Sequence, residues 1–228
     1  MKRSTHLLFD LDGTLFDFQA AERFAFQKTC ETLGIPYTKE VMDAYSRINE
    51  SYWKLFELGK VSQQELAVRR FSDLYDYLGM TGNAVEANLL YRRFLGQGNK
   101  MYPDTIPVCS DLAKHYHLCL ITNGLADVQY SRLNGSPLMN YASEVFISDE
   151  IGKQKPQKDY FDYVYEKLNV VPSQVLIIGD SLTSDIRGAA NAKTDSCWYN
   201  PDHKKNPFSD LHPTYEISSL PDLLSLLG

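Results

Sequence analysis

The sequence predicts an α/β protein, a parallel sheet with helices on both faces, carrying an all-helical bundle inserted after the first strand. Three observations carry this. The run Leu7–Phe9 is apolar and ends on Asp10, the pattern of a strand buried on both sides. From about Asp17 to Lys100 prolines are few and helical spacing recurs four times. Beyond Tyr102 short apolar runs alternate with helical stripes, which is how a parallel sheet with crossover helices reads.

Taken in order, the first strand leads into DLDGTL. The first helical stripe is Ala21, Phe24, Ala25 and Leu33, and the second is Tyr45, Asn49, Tyr52, Trp53 and Phe56. Ala67, Phe71, Leu74 and Leu78 form a third, and Leu89, Leu90, Phe94 and Leu95 a fourth. Breaks at Gly34-Ile35-Pro36, Leu58-Gly59 and Gly79 to Gly82 give short loops, so the segment is expected to fold as a four-helix bundle. Cys109, Leu112, Ala113 and Tyr116 then mark a helix, and His117 to Thr122 a strand closed by Asn123-Gly124. A helix from Leu125 to Asn134, a short strand Val145–Ile147 and a helix stripe Phe161, Val164, Tyr165, Leu168 follow. Val175–Ile178 is a strand ending in Gly179-Asp180, with a helix from Leu182 to Asn191. Ser196–Tyr199 and Thr214–Ile217 read as edge strands, and Leu220–Leu227 as a closing helix. The expected domains are therefore 1–16 with 101–228, and 17–100.

At 228 residues and 43% hydrophobic content the chain can bury a substantial core. A net charge of −6 argues against nucleic acid as the main partner, because a phosphate backbone calls for a basic surface. No N-terminal apolar segment is long enough for a signal peptide or a membrane span, and a cytoplasmic location is expected. Cys30, Cys109, Cys119 and Cys197 are widely spaced, without the pattern of a disulfide framework or a zinc site. His115 and His117 read as surface residues at a helix-to-strand junction. The sequence leaves monomer or dimer undecided.

The chemistry gathers at the carboxyl ends of the strands, where ligands bind in open parallel sheets. Asp10 and Asp12, two apart in extended backbone, face one spot. Their mutual repulsion calls for compensation, most simply by a hard divalent cation such as Mg2+. Gly13 permits a sharp turn, and Thr14 can hydrogen-bond the loop or a ligand. Thr122 offers a hydroxyl to a phosphoryl oxygen. Asn123 and Gly124 stand beside it as candidate substrate contacts, with a helix N-terminus that favours an anion. Lys155 can neutralise phosphoryl charge. Asp180 adds an oxygen ligand, and Asp185 can hold metal-bound water or orient Lys155. Each position has an ordinary reading as well: Asp-Gly and Asn-Gly are common turns, a lysine before proline is commonly solvated, and Asp180-Ser181 could be a helix cap. Polar sites at four successive strand ends outweigh those readings together.

DLDGTL, ITNG, KPQKDYF and GDSLTSD resemble, in order and spacing, the four motifs of the haloacid-dehalogenase-like (HAD) hydrolases. The resemblance covers essentially the whole chain. It implies a Rossmann-like core and, for the inserted bundle, the C1 cap of subfamily I. It also implies Asp10 as the nucleophile that forms an aspartyl-phosphate, and Asp12 as the acid that protonates the leaving oxygen and then activates water. Thr122 and Lys155 would hold the phosphoryl group. Asp10, the backbone carbonyl of Asp12, and Asp180 would coordinate Mg2+.

Within that family Asp12 and Asp180 argue against a dehalogenase, which needs no metal. Lys28, Lys39, Lys54 and Lys60 lack the apolar pocket of a phosphonatase lysine, while a sugar phosphomutase remains open. LFDLDGTLFDF, GDSLTSDIRGAANA, SCWYNPDH and PTYEISSL look most like the bacterial branch that hydrolyses pyrimidine nucleoside monophosphates. The expected partner is thus a small phosphate monoester, with no nucleic acid and no membrane. A phospho-accepting receiver module shares the acidic pair, the Thr and the Lys, but an inserted bundle fits it poorly. In the second bundle stripe, Trp53 could stack on a base and Asn49 could bond a pyrimidine edge, although such residues more often pack a bundle's own core.

Overall fold

The computed structural model describes residues 4–228; the first three residues of the expected core domain lie outside the described residues. The chain divides into two compact units, one made of residues up to Phe18 with Asn99–Gly228, the other of Gln19–Gly98. In chain order, β1 (His6–Asp10) precedes α1 (Phe18–Leu33), α2 (Lys39–Glu57), α3 (Gln63–Leu78) and α4 (Ala84–Leu95). Next come α5 (Thr105–Leu112), β2 (His117–Thr122), α6 (Ala126–Asn134), β3 (Ala142–Ile147), α7 (Ser148–Ile151), α8 (Lys158–Leu168) and β4 (Val175–Gly179). A π-type turn over Leu182–Ile186 runs into α9 (Arg187–Ala192), followed by β5 (Asp195–Tyr199), β6 (Tyr215–Ile217) and α10 (Asp222–Leu227).

The sheet is parallel throughout, in the order β3-β2-β1-β4-β5-β6. Its strands are apolar at successive positions because both faces are covered. Leu7, Phe9, Leu118, Leu120, Leu176 and Ile178 point to one face, against Val108, Leu112, Leu220 and Leu223. Leu8, Cys119, Ile121, Val175 and Ile177 point to the other, against Phe161, Val164, Ala189 and Ala192. Each such leucine contributes about 1.5–3 kcal/mol by leaving water, so the register is strongly determined. The strand order reverses at β1, which pairs with β2 on one side and β4 on the other. That reversal opens the crevice where α/β sheets hold their ligands.

Two expectations for this unit are corrected. Ser196–Tyr199 was expected at an edge, but β5 lies between β4 and β6, and the edges are β3 and β6. The helix expected over Leu182–Asn191 begins instead as a π-type turn, in which Asp185 and Ile186 both donate to the Ser181 carbonyl, at 3.0 and 3.1 Å.

The helical unit has strong local signals. Thr38, Ser62 and Asn83 cap α2, α3 and α4, with a reciprocal Ser62–Glu65 capping box. Gly79 ends α3 in the left-handed conformation, φ 61°. The interior is aromatic: the Phe26 and Tyr45 rings stack with centroids 4.1 Å apart, and Phe71 and Tyr91 close around Tyr45. Two stripe residues point elsewhere than expected. Phe24 is 39% and Leu89 60% exposed, and α4 instead buries Ala87, Asn88, Tyr91 and Leu95. Polar residues share the interior instead: Glu22, Asn49, Arg70 and Asn88 form one buried network. Asn49 donates to Glu22 (2.8 Å) and accepts from Arg70 (3.0 Å), which also reaches Asn88 (3.0 Å). The Arg70 guanidinium lies 4.4 Å from the Tyr91 ring centroid. No described helix is long and apolar enough to cross a membrane.

Candidate active site

Parallel pairing brings three strand ends level. Asp10 lies beside Ile121, one residue before Thr122, and Phe9 beside Ile178, two before Asp180. The chain then turns at Gly13, where φ is +93°. The departing segment pairs with the returning one through Asp17 N–H to the Lys100 carbonyl (2.9 Å) and Tyr102 N–H to the Leu15 carbonyl (3.2 Å).

One carboxylate oxygen from each of Asp10, Asp180 and Asp185 falls within 4.8 Å of the others. Lys155, 1% exposed, donates to Asp10 at 2.6 Å and to Asp185 at 2.7 Å. Were all three carboxylates ionised, the single ammonium would leave the cluster two negative charges in excess. Burial accordingly pushes the Asp10 carboxyl well above its usual range, against the opposing pull of Lys155, with Asp185 and Asp180 adding repulsion. Burial, then the charge of Asp185, pushes Asp180 up to about 7. The two neighbouring carboxylates keep Lys155 firmly protonated despite its burial. An all-oxygen cluster short of positive charge fits a hard divalent cation. Asp10 and Asp180 are the carboxylates that face it, since Asp185 commits Oδ1 to Lys155 and Oδ2 to the Ser181 N–H (3.1 Å).

Several side chains hold this cluster in place. Thr14, fully buried, accepts from the Asp180 N–H (3.1 Å), and Trp198 Nε1–H donates to the Asp180 carbonyl (2.9 Å). Gly179 is needed for Asp185, whose Oδ2 lies 2.2 Å from where a Cβ at 179 would sit. The π-type turn re-aims Asp185 toward the strand end, a use such turns often have at functional sites.

The remaining candidates separate. Asn123 does not present its amide to the crevice: Nδ2 donates to the Lys155 carbonyl (2.8 Å) and Oδ1 accepts the Lys155 N–H (2.9 Å). It is a strut for the Lys155 loop. The Gly124 N–H, expected to meet an anion, donates to Thr122 Oγ1 (2.9 Å). Asn49, expected to bond a pyrimidine edge, is instead 3% exposed and draws its amide between Glu22 and Arg70, because two buried charges need it more. Trp53 is half-buried and meets Phe56 edge-on at 5.7 Å.

Asp12 stands outside the three-acid cluster. Its carboxylate turns to two residues that sequence reasoning missed, Gln129 and Arg132 on α6. A signal was present: Val128, Gln129, Arg132 and Leu133 share the buried face of α6, and polar residues on a buried face need partners. Spacing alone could not say which carboxylate they meet.

Residues 7–199 match the family model described as haloacid dehalogenase-like hydrolase. A Bacillus subtilis (strain 168) protein named as the HAD-hydrolase YfnB is 40% identical over 229 residues, covering 100% of this chain and 97% of its own. The pyrimidine 5'-nucleotidase PynA of Streptococcus pneumoniae is 37% identical, over 97% of this chain and 94% of its own. The pyrimidine 5'-nucleotidase YjjG of Escherichia coli is 30% identical, over 97% and 96%. A crystal structure of the Bacillus subtilis YfnB bound to magnesium superposes with a TM-score of 0.94 at 40% identity, covering 99% of both chains.

Proposed function

We propose, for a chain that belongs to the haloacid dehalogenase-like hydrolases, hydrolysis of nucleoside monophosphates through an aspartyl-phosphate on Asp10. The coarse activity is that of a Mg2+-dependent phosphatase, and pyrimidine nucleotides are the substrates we infer. The observation that carries the chemistry is the convergence of Asp10, Asp180 and Asp185 within 4.8 Å, with Lys155 between two of them. The nucleotide assignment is supported by the two relatives named pyrimidine 5'-nucleotidases, at 37% and 30% identity over nearly the whole chain.

In the first half-reaction an Asp10 carboxylate oxygen attacks phosphorus and the bond to the nucleoside oxygen breaks. Asp12 gives that oxygen a proton. The Thr122 hydroxyl and the Lys155 ammonium hold phosphoryl oxygens as charge develops on them. In the second half, water attacks phosphorus, Asp12 takes its proton, and the bond to Asp10 breaks to release phosphate. Splitting one hydrolysis into two steps lowers each barrier. Asp10, Asp180 and the Asp12 main-chain carbonyl would hold Mg2+, which when bound would neutralise charge on the phosphoryl group. In the helical unit we assign base stacking to Trp53, a half-buried residue; such stacking is worth roughly 1–3 kcal/mol.

Turnover of UMP, CMP, dTMP, purine monophosphates, sugar phosphates and phosphoglycolate in Mg2+ tests the reading. Pyrimidine monophosphates should give the highest kcat/KM. Trp53→Ala should lower the ratio of nucleotide to p-nitrophenyl phosphate turnover roughly 10- to 100-fold. A preference for phosphoglycolate or a sugar phosphate overturns the nucleotide assignment while keeping the phosphatase. Asp12→Asn treated with acetyl phosphate should carry a phosphate on Asp10, and a label elsewhere overturns the mechanism.

A further inference from the structure

Gln129 and Arg132 lie three apart on α6, 1% and 0% exposed. Gln129 Nε2 has two protons and two acceptors within reach: Asp12 Oδ2 at 2.7 Å and Thr122 Oγ1 at 2.9 Å. Its carbonyl oxygen accepts from Arg132 Nη1 at 3.1 Å, and the same nitrogen pairs with Asp12 Oδ1. The amide orientation follows from the network, since only N–H can face a carboxylate. The Arg132 guanidinium lies 4.4 Å from the Phe16 ring centroid, which restrains the cation from one side.

We propose that Gln129 and Arg132 are positioning residues that lock the Asp12 carboxylate and the Thr122 hydroxyl into one orientation, so that proton transfer and phosphoryl binding address the same substrate. This rests on the reading of Asp12 as the proton-transfer group and Thr122 as a phosphoryl ligand.

The valences support it. Thr122 Oγ1 accepts from Gln129 and from the Gly124 N–H, at 2.9 Å each. Both its lone pairs are then used, and its own proton is left to donate outward, where a phosphoryl oxygen needs it. Asp12 receives one N–H on each oxygen, which stops the carboxylate from rotating. Each oxygen keeps a second lone pair, now with a fixed direction, for the proton it delivers and later recovers. Gly124 is part of the device, because a Cβ there would lie 2.2 Å from Gln129 Nε2. A role confined to packing would not require one amide to bridge the acid and the hydroxyl.

The test separates the two half-reactions by rapid quench with p-nitrophenyl phosphate in Mg2+. Its leaving group departs without needing a proton, so Asp12 limits mainly the second half. Gln129→Met and Arg132→Met should lower steady-state kcat roughly 10- to 100-fold, the scale of a lost catalytic alignment. In the Arg132 variants, which leave the Gln129–Thr122 bond in place, a p-nitrophenolate burst of full amplitude should persist, with phosphate accumulating on Asp10. Gln129→Met, which also frees the Thr122 hydroxyl, should slow the burst itself. Arg132→Lys, which keeps a cation beside Asp12, should recover part of the loss. Should Arg132→Met fail to fold by circular dichroism, Gln129→Met and Arg132→Lys carry the test. A burst that shrinks in step with kcat in the Arg132 variants, a Gln129→Met burst as fast as that of the wild type, or folded variants with unchanged kcat, overturns the proposal. Absence of any Asp10 adduct in the wild-type protein overturns the mechanism beneath it instead.

Discussion

The ammonium of Lys155 lies 2.6 Å from Oδ1 of Asp10, 145 residues away in the chain, and both are buried. The contact ties the loop before α8 to the end of β1. Its strength comes from low local polarity, and so does its cost when broken.

Lys155→Met therefore leaves Asp10 and Asp185 buried without their shared cation. A loss of about 3–5 kcal/mol is expected, read as a lower denaturation midpoint in chelator. Phosphatase activity should vanish with it. Lys155→Arg should not restore activity, because a planar guanidinium does not fit where a compact ammonium bridges two carboxylates.

The raised Asp180 carboxyl makes metal binding and stability pH-dependent. Its folded value, about 7, lies above the ordinary 3.8, so in chelator it favours the folded state most when protonated. That contribution is present below about 4 and lost as pH rises through 7. A cation must displace the proton, so Mg2+ affinity should weaken as pH falls below 7. Melting in EDTA and in saturating Mg2+ checks both signs: the stabilisation by Mg2+ should be larger at pH 8 than at pH 6. Equal stabilisation at both, or Asp180→Ala keeping full Mg2+ affinity, would contradict the assignment.

In the helical unit, Arg70→Ala removes the donor to Asn49 and Asn88 and the nearest buried cation to Glu22. The stranded polar groups should cost about 2–4 kcal/mol. Arg70→Ala with Glu22→Gln should recover part of that, since no unpaired carboxylate then remains. Urea denaturation of both variants measures it; additive losses would mean the two side chains do not communicate through Asn49.

The amino-acid sequence by itself determined the elements and their order. Apolar runs such as Leu7–Phe9 and Val175–Ile178, short and bounded by turn residues, read as strands covered on both faces, and the Ser62–Glu65 pair is the pattern of a helix start. These are local effects, written within one or two turns of chain. The acids at the strand ends were legible for the same reason, because strand polarity places Asp10 and Asp180 at neighbouring carboxyl ends. The two-residue spacing that should have set Asp12 beside Asp10 did not decide its direction, since Asp12 turns to Gln129 and Arg132. Tertiary structure alone decided which polar groups meet. Asn49 and Asn123 carry the right chemistry for a ligand, yet one relays between Glu22 and Arg70 and the other braces Lys155. Gln129 and Arg132 gave no sign of reaching Asp12, more than a hundred residues away. Buried polar groups take whichever partner packing brings within 3 Å, and that choice depends on the whole fold.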